Sequence, residues 1–316
     1  MGNSVIALCG GVGGAKLAYG LSRILPPDEL CIVVNTGDDF EHFGLHISPD
    51  LDTVTYTLAD IADDAQGWGR ADERWTAMQE IKHLGGDDWF NLGDRDIALH
   101  LVRTQMLRTG VSLTETTARL AAKFGIQHTI LPMTDDRVRT LIDTDEGELE
   151  FQTYFVKRRC EPKVHAIRFE GAAQAKISAQ VLRALNDENL RGVILCPSNP
   201  YLSVAPILAV ADFRKRLQAL STPVIAVSPI IGGRALKGPA VKMMAELGAV
   251  QGTLDIAHMY ADFIDALLVD RQDRLLNPAR SKSDPPFICD DIVMGSRDAR
   301  IELARRTLAH LDNLRS

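Results

Sequence analysis

The sequence predicts an α/β fold with a mostly parallel sheet, a helical insertion and a small β-hairpin region. Three observations carry this. Unbroken apolar runs over 4–9, 30–34, 192–196 and 223–227 have the pattern of strands buried on both faces. Three of them lead into stretches of helical spacing, which makes βα units. Between 54 and 124, helical spacing recurs with no convincing strand.

A length of 316 residues with 46% hydrophobic content is ample for a large core, expected as one α/β domain over 1–316, with its core in 1–52 and 126–316 and the helical section in 53–125. The formal charge is -7, from 35 Lys+Arg against 42 Asp+Glu, with no long basic run, so no nucleic-acid partner is expected. Cys9, Cys31, Cys160, Cys196 and Cys289 are scattered without C-x-x-C spacing, the pattern of a reducing, cytoplasmic protein with no zinc site. No basic-flanked apolar leader opens the chain, and no run of about 18 apolar residues is present to span a bilayer.

The first strand, 4–9, runs into Gly10-Gly11-Val12-Gly13-Gly14-Ala15-Lys16, and Leu17, Leu21, Ile24 and Leu25 then mark a helix. A Walker loop counted from Gly10 fails at Ala15 and Leu17, and a dinucleotide fingerprint counted from Gly11 fails at Lys16. What remains is a turn for a phosphate on a helix N-terminus, or a close-packed turn with no ligand. Pro26-Pro27 stops the helix, and the second strand, 30–34, ends in Asn35-Thr36-Gly37-Asp38-Asp39. A loop through His42 and His46 precedes a helix over 54–61. Helices follow over 75–84, 96–107 and 113–124, stopped by Gly85-Gly86 and Gly110. Strands are expected over 128–131, 138–142, 149–156 and 164–169, the middle pair as a hairpin across 143–147. A helix over 176–185 leads to the strand 192–196, the turn Pro197-Ser198-Asn199-Pro200 and a helix over 211–220. The strand 223–227, the loop 228–239 and a helix over 240–247 close the sheet, and 297–314 is helical.

Polar and glycine-bearing loops thus gather at strand carboxyl ends, where open α/β sheets bind ligands. Gly10, Gly11, Gly13 and Gly14, the turn Ser198-Asn199-Pro200, and Gly232 to Gly238 could accept a pyrophosphate, with Lys16, Arg234 and Lys237 as cations. Asp38, Asp39, Asp50 and Asp52 would repel such an anion unless a cation lay between, and oxygen ligands around a diphosphate point to magnesium. The alternative makes Asp52 or Thr53 a helix cap and Asp39 a solvated turn residue. Trp89 and Phe90 precede Asn91-Leu92-Gly93-Asp94-Arg95-Asp96, a mixture suited to a flat heteroaromatic ligand, or else to core packing with Asp94 as a cap. No Ser-His-Asp or Cys-His arrangement is recognisable.

Seven motifs in order, the glycine turn, Asn35-Thr36-Gly37-Asp38-Asp39, Ser48-Pro49-Asp50-Leu51-Asp52-Thr53, Leu92-Gly93-Asp94-Arg95-Asp96, Leu131-Pro132-Met133-Thr134-Asp135-Asp136, Pro197-Ser198-Asn199-Pro200 and Ala226-Val227-Ser228-Pro229-Ile230-Ile231-Gly232, make a chain that resembles the CofD (FbiA) family. The resemblance implies a Rossmann-like core, usually in a homodimer, and a 2-phospho-L-lactate transferase of coenzyme F420 biosynthesis. Such enzymes pass the phospho-acid of a guanosine-diphospho-linked three-carbon acid to the ribityl hydroxyl of the deazaflavin Fo, releasing GMP with help from magnesium. Carried over by motif, deazaflavin contacts fall on Asp52 and on Asn91, where many members carry a basic residue, with Arg95 beside them. The guanosine diphosphate falls on the glycine turn, Ser198-Asn199-Pro200 and the 232–238 loop. To these the residues themselves add Asp38, Asp39 and Asp50 as candidates to hold magnesium or orient the hydroxyl, with Asp38, Asp39 and Asp52 as the expected metal residues and Asp52 the expected proton acceptor, Asp50 beside it in the catalytic pair. A second class in the same superfamily shares the glycine turn but binds nucleotide sugars as a regulator. The Ser48-to-Thr53 and Leu92-to-Asp96 motifs favour the enzyme.

Overall fold

The computed structural model describes residues 4–232, 242, 245–248, 252–275 and 284–315. Its centre is a seven-stranded sheet. In chain order the strands are β1 (Ser4–Cys9), β2 (Leu30–Val34), β3 (Phe40–His42), β4 (Leu45–Ile47), β5 (Thr129–Pro132), β6 (Arg139–Thr144), β7 (Gly147–Glu150), β8 (Val164–Glu170), β9 (Leu190–Leu195), β10 (Val224–Val227), β11 (Ala266–Asp270) and β12 (Phe287–Asp290). The central order is β12-β11-β10-β9-β1-β2-β5, with every neighbouring pair parallel.

The pleat of β1 explains its unbroken apolar run, because successive side chains enter opposite layers. Ile6 and Leu8 join one core with the helices Ala179–Leu185, Phe213–Gln218 and Thr253–Tyr260, whereas Val5, Ala7 and Cys9 join the other. That second layer holds α1 (Gly11–Ser22), α2 (Pro49–Leu58) and the C-terminal helix Arg297–Asn313. The helical section continues with α3 (Thr76–His83), α4 (Asp94–Arg108) and α5 (Leu113–Lys123).

The expected hairpin is present as β6 and β7, with β8 completing a three-stranded antiparallel sheet. Four features differ from the sequence expectation. The loop through His42 and His46 is a second hairpin, β3 with β4, whose turn residues Phe43 and Gly44 have φ of 52° and 68°. Those angles suit a tight two-residue turn, but Phe43 lacks the Asn or Asp signal that announces one. The strand expected over 149–156 ends at Glu150, and a π-helical turn, Thr153–Lys157, drops Tyr154 into a separate core with Ile142 and Val164. The helix expected over 211–220 spans only Phe213–Gln218, and a separate short helix, Ala205–Ala209, comes before it, the two parted at Ala211, whose φ is 47°. The sheet also continues past β10 into β11 and β12. β12 is short and follows Pro285-Pro286, which masked it, while β11 is another unbroken apolar run. The helix expected over 240–247 falls mainly outside the described residues.

Candidate active site

The chain leaves β1 towards β2 on one side, while β9 lies on the other, so the switch point of the sheet falls between β1 and β9. The glycine turn and the Pro197-Ser198 turn meet there. The Gly10 N–H donates to Ser198 Oγ at 3.1 Å. A Cβ on Gly13 would overlap the Pro197 carbonyl oxygen, and one on Gly14 would overlap Ser198 Oγ and the Cys9 side chain. The missing side chains therefore let α1 start against the neighbouring turn. Gly11, at φ 62°, donates its N–H to Asp50 Oδ1 at 2.7 Å, while Asp50 Oδ2 accepts from Asn35 Nδ2 at 2.9 Å. Asp50 thus sits on the positive end of α1, the place expected to hold a phosphate.

Asn199 caps the turn that follows, accepting from the N–H groups of Tyr201 and Leu202 at 2.9 and 3.2 Å, with Pro200 in its first position. Asn35 ties three loops together: beyond Asp50, its amide donates to Leu202 O at 3.2 Å and its oxygen accepts from Gly37 N–H at 2.8 Å.

Beside this crossing lies a cavity of about 490 Å³. Trp68, Trp89, Phe90, Phe151 and Phe155 supply aromatic walls, and Asp38, Asp50, Asp52 and Asp96 line its acidic side. Trp89 and Phe90 are held by edge contact with each other at 5.7 Å and by Phe40, which meets Phe90 at 4.8 Å. Asn91 lines the same cavity, whereas Arg95 is exposed on the first turn of α4. Lys16 lines a separate depression of about 30 Å³ with Asp63 and Asp64, divided from the cavity by Trp68 and Thr53. Gly232, at φ 62°, lies beside Gln272 on the far side of β10, and Lys237 and Gly238 lie outside the described residues.

The acidic residues are not equivalent. Neither Asp52 nor Thr53 caps α2, because Ser48 stands at the N-cap and Pro49 opens the helix. Arg103 holds both carboxylate oxygens of Asp52, through Nη2 to Oδ1 and through Nη1 to Oδ2 at 3.0 Å. Those oxygens are therefore committed, which leaves Asp52 poorly suited to bind a metal or accept a proton. Arg103 also reaches His100 Nδ1 at 3.3 Å; arginine only donates, so Nδ1 is the acceptor, and burial lowers the His100 pKa to about 4. Asp39 accepts from Ser48 Oγ at 2.8 Å and pairs with His46 Nε2 at 3.0 Å, so it is buried rather than a solvated turn residue. One oxygen of Asp38 and one of Asp39 are buried without a hydrogen-bond partner. Burial, then the charge of Asp50, pushes the Asp38 carboxyl well above the usual range. Burial brings Asp50 to about 6. Asp96, which accepts from the Tyr56 hydroxyl, is raised by burial to about 7.

Asp96, His100 and Arg103 lie on one face of α4, at spacings of four and three, and Tyr56 stands one turn beyond Asp52 on α2. Polar residues on that periodicity form the inner face of α4, so a search for apolar stripes passes over it. The start of α4 is also capped from a distance: Glu73 accepts from the N–H groups of Arg95 and Asp96 at 3.0 and 3.1 Å. Asp94 instead accepts from Ala77 N–H at 2.9 Å, serving α3.

A family model described as 2-phospho-L-lactate transferase CofD matches residues 5–308. The chain belongs to the CofD family. A 2-phospho-L-lactate transferase of Methanosarcina mazei is 41% identical over 270 residues, covering 85% of this chain and 88% of that protein. A phosphoenolpyruvate transferase of Kitasatospora aureofaciens is 40% identical over 318 residues, covering 98% of each. The crystal structure of a UPF0052-family protein from Bacillus halodurans superposes at a TM-score of 0.55 with 14% identity, over 98% of this chain and 90% of that one. That likeness concerns the fold.

The raised carboxyls set a pH dependence for this CofD-family fold. Each binds its proton more tightly folded than unfolded, so its contribution to stability is full below about pH 4 and is lost as pH rises through the folded values near 6 and 7. The stability these groups contribute, and the melting temperature with it, should therefore fall between about pH 4 and pH 7. Asp96→Asn should flatten the upper half of that fall, as read by calorimetry across the range.

Proposed function

We propose that this CofD-family protein transfers the phospho-acid half of a guanosine-diphospho-linked three-carbon acid to the ribityl hydroxyl of the deazaflavin Fo, releasing GMP, in coenzyme F420 biosynthesis. The observation that carries this is the cavity: aromatic walls sized for a flat heteroaromatic ring, carboxylates along one side, and the switch-point turns alongside for the nucleotide donor. The names of the relatives support the same chemistry and differ in the acid transferred.

Among the described residues no three His, Cys, Asp or Glu side chains converge as a metal cage. Magnesium needs none when substrate phosphates supply ligands, and the unpartnered oxygens of Asp38 and Asp39 fit that role. We place a magnesium ion there, where it would offset diphosphate charge. The aromatic walls hold the ring, and Asn91 reaches it at the rim. Asp50 and Asn35 fix the crossing turns, so catalysis rests on positioning rather than on a nucleophilic side chain. We further propose a cytoplasmic homodimer. Five free cysteines support a reducing compartment. No helix among the described residues is long and apolar enough to cross a membrane.

The test is incubation with Fo, magnesium and, in turn, the guanosine-diphospho derivatives of lactate, enolpyruvate and glycerate, with mass spectrometry of the deazaflavin product. A phosphorylated adduct with one donor, lost on chelation, is expected. No adduct with any donor overturns the proposal and favours a nucleotide-sugar regulator.

A further inference from the structure

Resting on the function proposed above, we infer that Asp96 is the proton acceptor for the attacking hydroxyl and that Asp52 is a positioning residue. Both carboxylates line the cavity, but their partners differ. Asp52 is bound on both oxygens by Arg103. The hydrogen bond that Asp96 accepts comes from a neutral phenol, Tyr56 Oη. The charged and titratable groups around Asp96 are Tyr56 and Asp52 on α2, Glu73 ahead of α3, and Arg103 on α4. His100, one turn along α4, lines the same cavity and is neutral.

Of these neighbours, Arg103 is committed to Asp52, and Glu73 accepts from the backbone at the start of α4. Asp96 is buried, yet it faces the space where the aromatic walls would hold the deazaflavin. Its affinity for a proton, raised by burial to about 7, suits a group that takes a proton near neutral pH. Asp52 instead has both oxygens engaged by the Arg103 guanidinium, which suits it to hold position rather than to meet the hydroxyl.

The step balances as follows. The ribityl oxygen forms a bond to the phosphorus that carries the three-carbon acid. The bond from that phosphorus to the bridging oxygen breaks, and its electron pair leaves with GMP. The hydroxyl proton passes to the Asp96 carboxylate and from there to solvent.

Two variants test this in the full chain. Asp96→Asn should lower kcat by about hundredfold or more while the dissociation constant of Fo, read by deazaflavin fluorescence, stays within roughly threefold. Tyr56→Phe should move the acidic limb of the pH profile of kcat/KM to higher pH, because the lost hydrogen bond stabilised the charged carboxylate. A folding defect alone would lower the active fraction without moving that limb. Asp96→Asn turning over within about fivefold of the parent overturns the assignment and leaves the proposed function standing. A loss of turnover matched by an equal loss of Fo affinity, or an unmoved limb in Tyr56→Phe, also overturns it. No product from the unmodified protein overturns both.

Discussion

Arg103→Ala should lower the unfolding free energy by about 3–5 kcal/mol, since it strands the buried Asp52 carboxylate without its partner. Arg103 and Asp52 retain only 4% and 9% of their side-chain exposure, so water cannot take over the pairing. Asp38, Asp50 and Asp96 line the same cavity, and an unpaired charge at Asp52 adds to their repulsion. A large part of the loss therefore belongs to the stranded acid rather than to the bond itself. The double variant Asp52→Asn with Arg103→Met separates the two, because it removes both charges and keeps most of the volume. It should recover much of the stability lost in Arg103→Ala, as measured by urea denaturation. If Arg103→Ala unfolds at the parent's urea midpoint with an unchanged slope, the pair is not structural.

The same pair shows what could be read in the sequence and what could not. The first βα unit, the parallel sheet and the β6–β7 hairpin were legible because buried strands leave unbroken apolar runs, and hairpins leave glycine between alternating residues. The glycine turn was legible as a tight turn, and both a ligand and a packing role remained open for it. The packing contacts come from Pro197 and Ser198, far along the chain, and no local pattern announces them. The acids at 38, 39, 50 and 52 could be seen as a cluster, but their inequivalence depends on which one an arginine on α4 reaches. Asp96 was visible within its motif, yet its part depends on Tyr56, which is hidden on the inner face of α2.

Gly13→Ala tests the close packing of the glycine turn. The new Cβ would meet the Pro197 carbonyl oxygen, and because that atom is backbone, the clash cannot be relieved by a side-chain rotation. In an unhindered helix, alanine would stabilise by up to about 1 kcal/mol over glycine. Overpacking costs about 1–3 kcal/mol, so the net effect should be destabilising. The larger effect should fall on catalysis. If α1 moves off the Pro197-Ser198 turn, the bonds from Gly10 N–H to Ser198 and from Gly11 N–H to Asp50 are strained together. A displacement near 1 Å at a positioning element lowers turnover by about hundredfold. Fo binding should survive, because the aromatic walls come from other elements. Gly295→Ala is the control: nothing lies within 4 Å of its added Cβ. It should stay within about 0.5 kcal/mol of the parent. Equal stability and turnover in Gly13→Ala and Gly295→Ala would show that the turn yields without consequence, and the switch-point crossing would then lose its place in donor binding.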